Sequence, residues 1–168
     1  MKNLWAPWRR QYVTQADADS ASCFLCQAVE HDHVSQERGI VHIAEHSVII
    51  LNKYPYSSGH LLVAPKAHNG DLLDLDDITY ACLMQSVRLA SRAVTHVYKP
   101  HGLNIGMNLG SAAGAGVPDH CHVHVVPRWD GDTNFMPVVA NVKVASEKLE
   151  DTWQRVTEAI GLNGQVGL

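Results

Sequence analysis

His120-Cys121-His122-Val123-His124-Val125-Val126 is the stretch that decides how this chain is interpreted. From His120 to Val125 its residues alternate in character, which is typical of a β-strand with one apolar face. On such a strand the three histidines share one face, and the cysteine and valines between them share the other. An exposed strand face that simply tolerates histidine does not account for three histidines in alternate positions opposite an apolar face. The pattern therefore indicates a functional site.

A single metal ion held by all three histidines is the main alternative. Same-face neighbours on a strand lie about 7 Å apart, so His120 and His124 would be roughly 13 Å apart at Cα. Imidazole nitrogen binds zinc at about 2 Å, so both residues reach one ion only if the strand bends. The three histidines are therefore expected to have different roles.

The chemistry of imidazole points to phosphorus. A neutral histidine attacks well near pH 7, and the phosphoramidate that it forms is labile enough to pass its group on. Such a reaction also needs a cradle for anionic oxygens. The loop NLGSAAGAG (108–116) comes shortly before the histidines. Its small residues let backbone N–H groups approach a phosphate, and Ser111 adds a hydroxyl, so the loop is a candidate phosphate cradle.

The rest of the chain predicts an α+β fold with an antiparallel sheet. Segments 40–44, 47–52 and 60–65 are rich in β-branched and aliphatic residues and predict three consecutive strands. Segment 103–108 comes later, after a long helix. From Asp76 onward the apolar residues recur at helical spacing and predict that long helix, with one face on the core. Residues 145–160 predict a closing helix. The residues of the long helix expected in the core are Leu83, Val87, Ala90, Val94 and Val97.

Composition limits the class of protein. A chain of 168 residues with 46% hydrophobic content suits a single domain. We divide it into an N-terminal arm (1–22), a motif-bearing core (23–137) and a C-terminal strand and helix (138–168). The net charge of -4 provides no general attraction for a nucleic acid polymer. No leader-like h-region and no apolar run of membrane-spanning length is present, so we expect a cytoplasmic protein without a membrane partner.

Three motifs carry a resemblance to the histidine triad (HIT) superfamily. HCHVHVVPR fits its pattern of three spaced histidines, Asn52 with PYSSGHLLVAPKAH (55–68) resembles its upstream block, and NLGSAAGAG resembles its phosphate loop. PWRRQY and PRWDGDTNF are similar to bacterial diadenosine tetraphosphate hydrolases or phosphorylases. The resemblance covers about 23–137. It implies a five-stranded antiparallel sheet with a long helix and a C-terminal helix, and a homodimer.

The resemblance also implies roles for individual residues. His122 would be the nucleophile that forms a nucleotidyl-histidine, His124 would assist the leaving group, and His60 would support the site from behind. The implied substrate-binding residues are Asn52, Asn108, Gly110, Ser111, Gly114 and Gly116. Many relatives carry Gly-Gln shortly before the first histidine, where this chain has GAGVPD (114–119).

These roles predict an enzyme that hydrolyses dinucleoside polyphosphates, with a small nucleotide as its substrate. Transfer of the nucleotide to phosphate or a sugar phosphate is one alternative, and the missing glutamine leaves that choice open. Hydrolysis is favoured because water always competes for a phosphoramidate. A nucleotide-binding module without turnover is the other alternative, but binding alone needs no nucleophile.

The pair Cys23 and Cys26 has the CxxC spacing of a zinc site. In a reducing compartment such a pair favours metal over a disulfide, but two further ligands are needed. Local candidates are His31 and His33, and distant candidates are His68 and His120. The resemblance extends to zinc-bearing branches of the superfamily that use the distant arrangement. We therefore expect a closed, structural zinc site, with an empty pair of thiols as the alternative. Its predicted ligands are Cys23, Cys26, His68 and His120.

Overall fold

The computed structural model describes residues 23–30, 33–132 and 147–164. The predicted arm (1–22), residues 31–32 and 133–137 of the predicted core, and residues 138–146 and 165–168 of the predicted C-terminal segment lie outside these ranges. The strands are β1 (Ile40–Ile43), β2 (Ser47–Leu51), β3 (Leu61–Pro65), β4 (Gly102–Met107) and β5 (Val123–Arg128). The helices are α1 (Phe24–Val29), α2 (Asp77–Tyr98) and α3 (Leu149–Gly164), with 3-10 turns at Leu72–Asp74 and Ser111–Ala113. None of the helices in these ranges has the length and apolarity needed to cross a bilayer.

The strands form one sheet in the order β1-β2-β3-β5-β4, and all neighbours are antiparallel. The first three strands follow one another along the chain, as expected for hairpins. β5 then inserts between β3 and β4, so the strand that carries His124 lies inside the sheet. This confirms the predicted α+β fold with a five-stranded antiparallel sheet, a long helix and a C-terminal helix.

The main core lies between one face of the sheet and the helices α2 and α3. The apolar positions predicted along α2 point into it: Leu83, Val87, Ala90 and Val94 are buried, and Val97 packs against them. Val123 and Val125 of β5 belong to the same core. Because side chains alternate along a strand, His124 lies on the opposite face of the sheet, where the helices α2 and α3 do not cover it.

The histidine strand begins later than the alternation predicts, at Val123 and not at residue 120. Val123 is the first residue of this strand that pairs with its neighbours, with Val63 of β3 on one side and Met107 of β4 on the other. Before that point the Cys121 N–H donates to the Asn69 carbonyl at 2.7 Å. His120 and His122 therefore lie in the approach to β5, and their surroundings differ from those of His124.

Gly59, directly before His60, makes a close approach that a larger residue would disturb. Its φ is +82°, and a Cβ would lie 2.6 Å from the ring of Tyr98 at the end of α2. We expect Gly59→Ala to lower the free energy of unfolding by roughly 2 kcal/mol, measured by chemical denaturation. Gly102→Ala is the matched control, since a Cβ there meets nothing within 4 Å. Equal losses in the two variants would rule out this explanation.

Candidate active site

His122 is held in one tautomer. Its Nδ1 lies 2.9 Å from the carbonyl oxygen of His120, and a carbonyl oxygen only accepts hydrogen bonds. Nδ1 therefore carries the hydrogen, and the lone pair is on Nε2. Burial lowers the pKa of His122, and the hydrogen bond to His120 raises it by less. The ring is consequently neutral at pH 7, with Nε2 suited to act as a nucleophile.

His60 and His124 form a second chain of hydrogen bonds with the opposite result. The backbone N–H of Tyr56 donates to His60 Nδ1 at 3.0 Å, so His60 carries its hydrogen on Nε2. That atom lies 3.0 Å from His124 Nδ1, which therefore accepts. His124 in turn carries its hydrogen on Nε2. A buried His60 thus fixes the tautomer in which His124 Nε2–H can donate a hydrogen bond.

His122 and His124 are neighbours. The ring centroids of His122 and His124 are 5.0 Å apart, and those of His60 and His124 are 5.2 Å apart. One imidazole offers a lone pair and the neighbouring imidazole offers an N–H. This combination suits displacement at phosphorus, because the first group can form the new bond while the second donates a hydrogen bond to the leaving oxygen.

The turn before His60 contributes two more residues. The Tyr56 ring stacks on the His60 ring at 4.8 Å, and 54% of Tyr56 is exposed. Asn52 accepts from the Tyr54 N–H at 2.9 Å, and its Nδ2 lies 3.3 Å from His60 Nδ1. The resemblance implied Asn52 as a substrate residue but assigned no role to Tyr56. An aromatic residue four positions before the buried His60 was the available signal.

The predicted phosphate loop leaves the sheet beside the histidines. Met107, its preceding residue, pairs with Val123, which stands between His122 and His124. Gly110 and Gly114 have φ of 76° and 86° and flank the turn Ser111–Ala113. The first N–H groups of such a turn have no acceptor within it and suit an anion. The Asn108 side chain closes the loop, since its Nδ2 donates to the Gly114 carbonyl at 3.3 Å.

The four predicted metal ligands lie close together in the structure. Cys23 caps the start of α1, Cys26 lies within that helix, and His68 follows β3. Cys26 Sγ lies 3.0 Å from His68 Nδ1, and Cys23 Sγ lies 3.3 Å from His120 Nδ1. All four ligand atoms are within 4.8 Å of one another. We call this group the Cys–His cluster. Of the local alternatives, His33 is outside the cluster, and residue 31 lies outside the described residues.

The chemistry of the Cys–His cluster fits a metal ion. His120 Nε2 lies 2.9 Å from the Pro65 carbonyl and must donate to it, so the lone pair of Nδ1 faces the sulfurs. Burial, and then the hydrogen bond and charge of Cys23, raise the pKa of the Cys26 thiol. A bound cation would reverse that effect and stabilise two thiolates. Two sulfur and two imidazole ligands are a common set for structural zinc.

Comparison with known proteins identifies the family. The family model described as "HIT domain" matches residues 35–131, which is more than half of the chain. This chain belongs to the HIT family. The resemblance expected from the three sequence motifs is thereby confirmed.

Two named relatives of this HIT protein are informative. A Mycobacterium tuberculosis protein named AP-4-A phosphorylase is 39% identical over 158 residues, covering 90% of this chain and 80% of that protein. The asymmetrical bis(5'-nucleosyl)-tetraphosphatase of Schizosaccharomyces pombe is 36% identical over 86 residues, which is 51% of this chain and 47% of that protein. Both relatives are named as enzymes that act on nucleotides.

A solved structure supports the same assignment. The zinc-bound histidine triad family protein from Mycobacterium smegmatis is 28% identical, with a TM-score of 0.69. The alignment covers 87% of this HIT chain and 98% of that one. That protein is described as zinc-bound.

Proposed function

We propose that this HIT protein cleaves dinucleoside polyphosphates through a nucleotide held covalently on His122. The observation that carries the proposal is the pair of opposite tautomers, with a lone pair on His122 Nε2 and a hydrogen on His124 Nε2. The names of the Mycobacterium tuberculosis and Schizosaccharomyces pombe relatives support the substrate class. A binding module without turnover would need neither tautomer.

In the first step His122 Nε2 attacks the phosphorus next to one nucleoside. A bond forms between that nitrogen and phosphorus, and the bond from phosphorus to the bridging oxygen breaks. The electron pair leaves with that oxygen, which belongs to the departing nucleotide, and His124 stabilises the negative charge by donating a hydrogen bond from Nε2–H to it. His60 stabilises His124 through the hydrogen bond to Nδ1.

In the second step an acceptor oxygen attacks the nucleotidyl-histidine. The bond between phosphorus and His122 Nε2 breaks and the lone pair returns to that nitrogen. Where the acceptor is water, its proton is released to solvent. Asn108, Gly110, Ser111, Gly114 and Gly116 would form the phosphate cradle, with the Ser111 hydroxyl and loop N–H groups on the phosphate oxygens. Gly114 would shape the loop, because its own N–H donates to the Ser111 carbonyl at 2.9 Å. Asn52 would contact the substrate from the turn before His60.

The acceptor is either water or phosphate. Water is favoured by its abundance, whereas the name of the Mycobacterium tuberculosis relative and the all-small run 114–116 favour a second anion. We expect diadenosine tetraphosphate to give AMP and ATP slowly without phosphate, and ADP and ATP faster with phosphate in excess. Separation of AMP from ADP by chromatography measures this.

Three other outcomes of the product analysis would contradict this expectation. Products and rate that do not change with phosphate identify a hydrolase and exclude the phosphate acceptor. Strict dependence on phosphate identifies a phosphorylase and excludes water. No cleavage under either condition, with binding of the nucleotide retained, would contradict the proposed function and leave a binding module.

We further propose that the Cys–His cluster holds one structural zinc ion, with Cys23, Cys26, His68 and His120 as its four ligands. With all four positions taken by protein atoms, zinc would hold α1 against the approach to β5 and would carry no catalytic water.

The homodimer implied by the resemblance stays a prediction. It is supported by the position of β4 at one edge of the sheet, where a second copy can extend the ladder.

A further inference from the structure

We propose that His120 is a positioning residue that transmits the state of the Cys–His cluster to the nucleophile. The proposal rests on the role of His122 proposed above. It goes beyond a zinc site that only stabilises the fold, because the cluster would then set the geometry of the reacting nitrogen. Three contacts of His120 carry it.

The first two contacts immobilise the His120 side chain from both sides. Nε2 donates to the Pro65 carbonyl at 2.9 Å, and Nδ1 lies 3.3 Å from Cys23 Sγ and 3.5 Å from Cys26 Sγ. The residue is 0% exposed. With both ring nitrogens engaged, the ring has no second position that keeps both contacts.

The third contact joins the same residue to the nucleophile. The His120 carbonyl oxygen accepts from His122 Nδ1 at 2.9 Å, and this contact alone assigns the hydrogen to Nδ1. The peptide that carries this oxygen is held by the Cys121 N–H, which donates to the Asn69 carbonyl at 2.7 Å. A small rotation of this peptide would remove the acceptor and let the His122 ring turn or change tautomer.

Loss of a ligand from the cluster should therefore change the ring position or tautomer of His122. The ligand chosen is His68, whose ring lies 5.2 Å from the His120 ring and whose Nδ1 lies 3.0 Å from Cys26 Sγ. We infer that breaking the cluster at His68 loosens the His120 side chain and then its carbonyl. The substrate-binding loop is not part of this path, so binding should change less than the chemical step.

The experiment compares His68→Asn with the matched control His46→Asn, a partly exposed histidine outside the Cys–His cluster. Metal content, unfolding, kcat and KM are measured for both, and nitrogen-labelled histidine reports by NMR which ring nitrogen of His122 carries hydrogen. We expect His68→Asn to lower kcat about tenfold or more with KM within about twofold. We also expect its His122 signal to lose the pure Nδ1–H form. His68→Cys, which restores a zinc ligand, should recover both kcat and the Nδ1–H form.

The opposite result is equally clear. A folded His68→Asn protein that has lost its metal but keeps kcat and the Nδ1–H form of His122 would overturn the coupling. Should His68→Asn fail to fold, chelator-treated wild-type protein is compared with zinc-loaded protein by the same NMR signal. Wild-type protein without turnover would count against the proposed function, whereas the tautomer measured by NMR would still decide the coupling.

Discussion

His122→Asn is expected to lower kcat about a hundredfold or more while nucleotide affinity and the melting temperature stay nearly unchanged. The variant removes the attacking Nε2, but its amide can still donate to the His120 carbonyl that Nδ1 contacts at 2.9 Å. The nucleophile acts in the transition state, so its loss has little effect on the ground-state complex. Steady-state kinetics, equilibrium binding and thermal unfolding measure the three quantities.

The control for this prediction is His96→Asn, an exposed histidine on α2. It should match the wild type in all three measurements. A His122→Asn protein with more than about a tenth of the wild-type rate would contradict covalent catalysis by this residue. A large loss of stability would show that His122 is mainly a packing residue.

Removal of a ligand from the Cys–His cluster is expected to have the largest effect on stability. Cys26→Ser and His68→Ala should each abolish stoichiometric zinc and lower the melting temperature by about 10 °C, equivalent to roughly 3 kcal/mol for a chain of this size. The reason is that the proposed zinc ion would connect α1 with the segment that follows β3 and with the approach to β5. Metal analysis and thermal unfolding are the measurements.

His33→Ala is the control for the metal site, because His33 was the local alternative and lies outside the cluster. It should retain zinc and the wild-type melting temperature. Loss of zinc in His33→Ala, with zinc retained in His68→Ala, would favour the local arrangement. His120 would then need another role.

The elements of the fold were readable from the sequence because each has a local period. The apolar spacing along α2 predicted which side chains are buried, and Leu83 and Val94 are fully buried. The order of the strands was not readable in this way. Insertion of β5 between β3 and β4 depends on contacts between distant segments, and local alternation contains no information about them. The helix α1 was also missed, since six residues show too little periodicity.

The candidate active site was likewise predicted only in part from the sequence. Alternation placed three histidines on one face of one strand, and their spacing predicted different roles, but the pattern did not show which contacts distinguish them. The structure separates them by their hydrogen-bond partners: a carbonyl for His122, and another histidine for His124. The partner of His120 Nε2 is the carbonyl of Pro65, 55 residues away in sequence, and no sequence pattern predicts a backbone acceptor at that distance.

The most direct test of covalent catalysis is the stereochemical course at phosphorus. A dinucleoside tetraphosphate with a chiral sulfur-substituted phosphorus next to one nucleoside is turned over in the presence of isotopically labelled acceptor oxygen. Attack by His122 followed by attack of the acceptor inverts the configuration twice, so the account predicts overall retention. Overall inversion would mean that the acceptor attacks the substrate directly, and it would contradict the nucleotidyl-His122 intermediate.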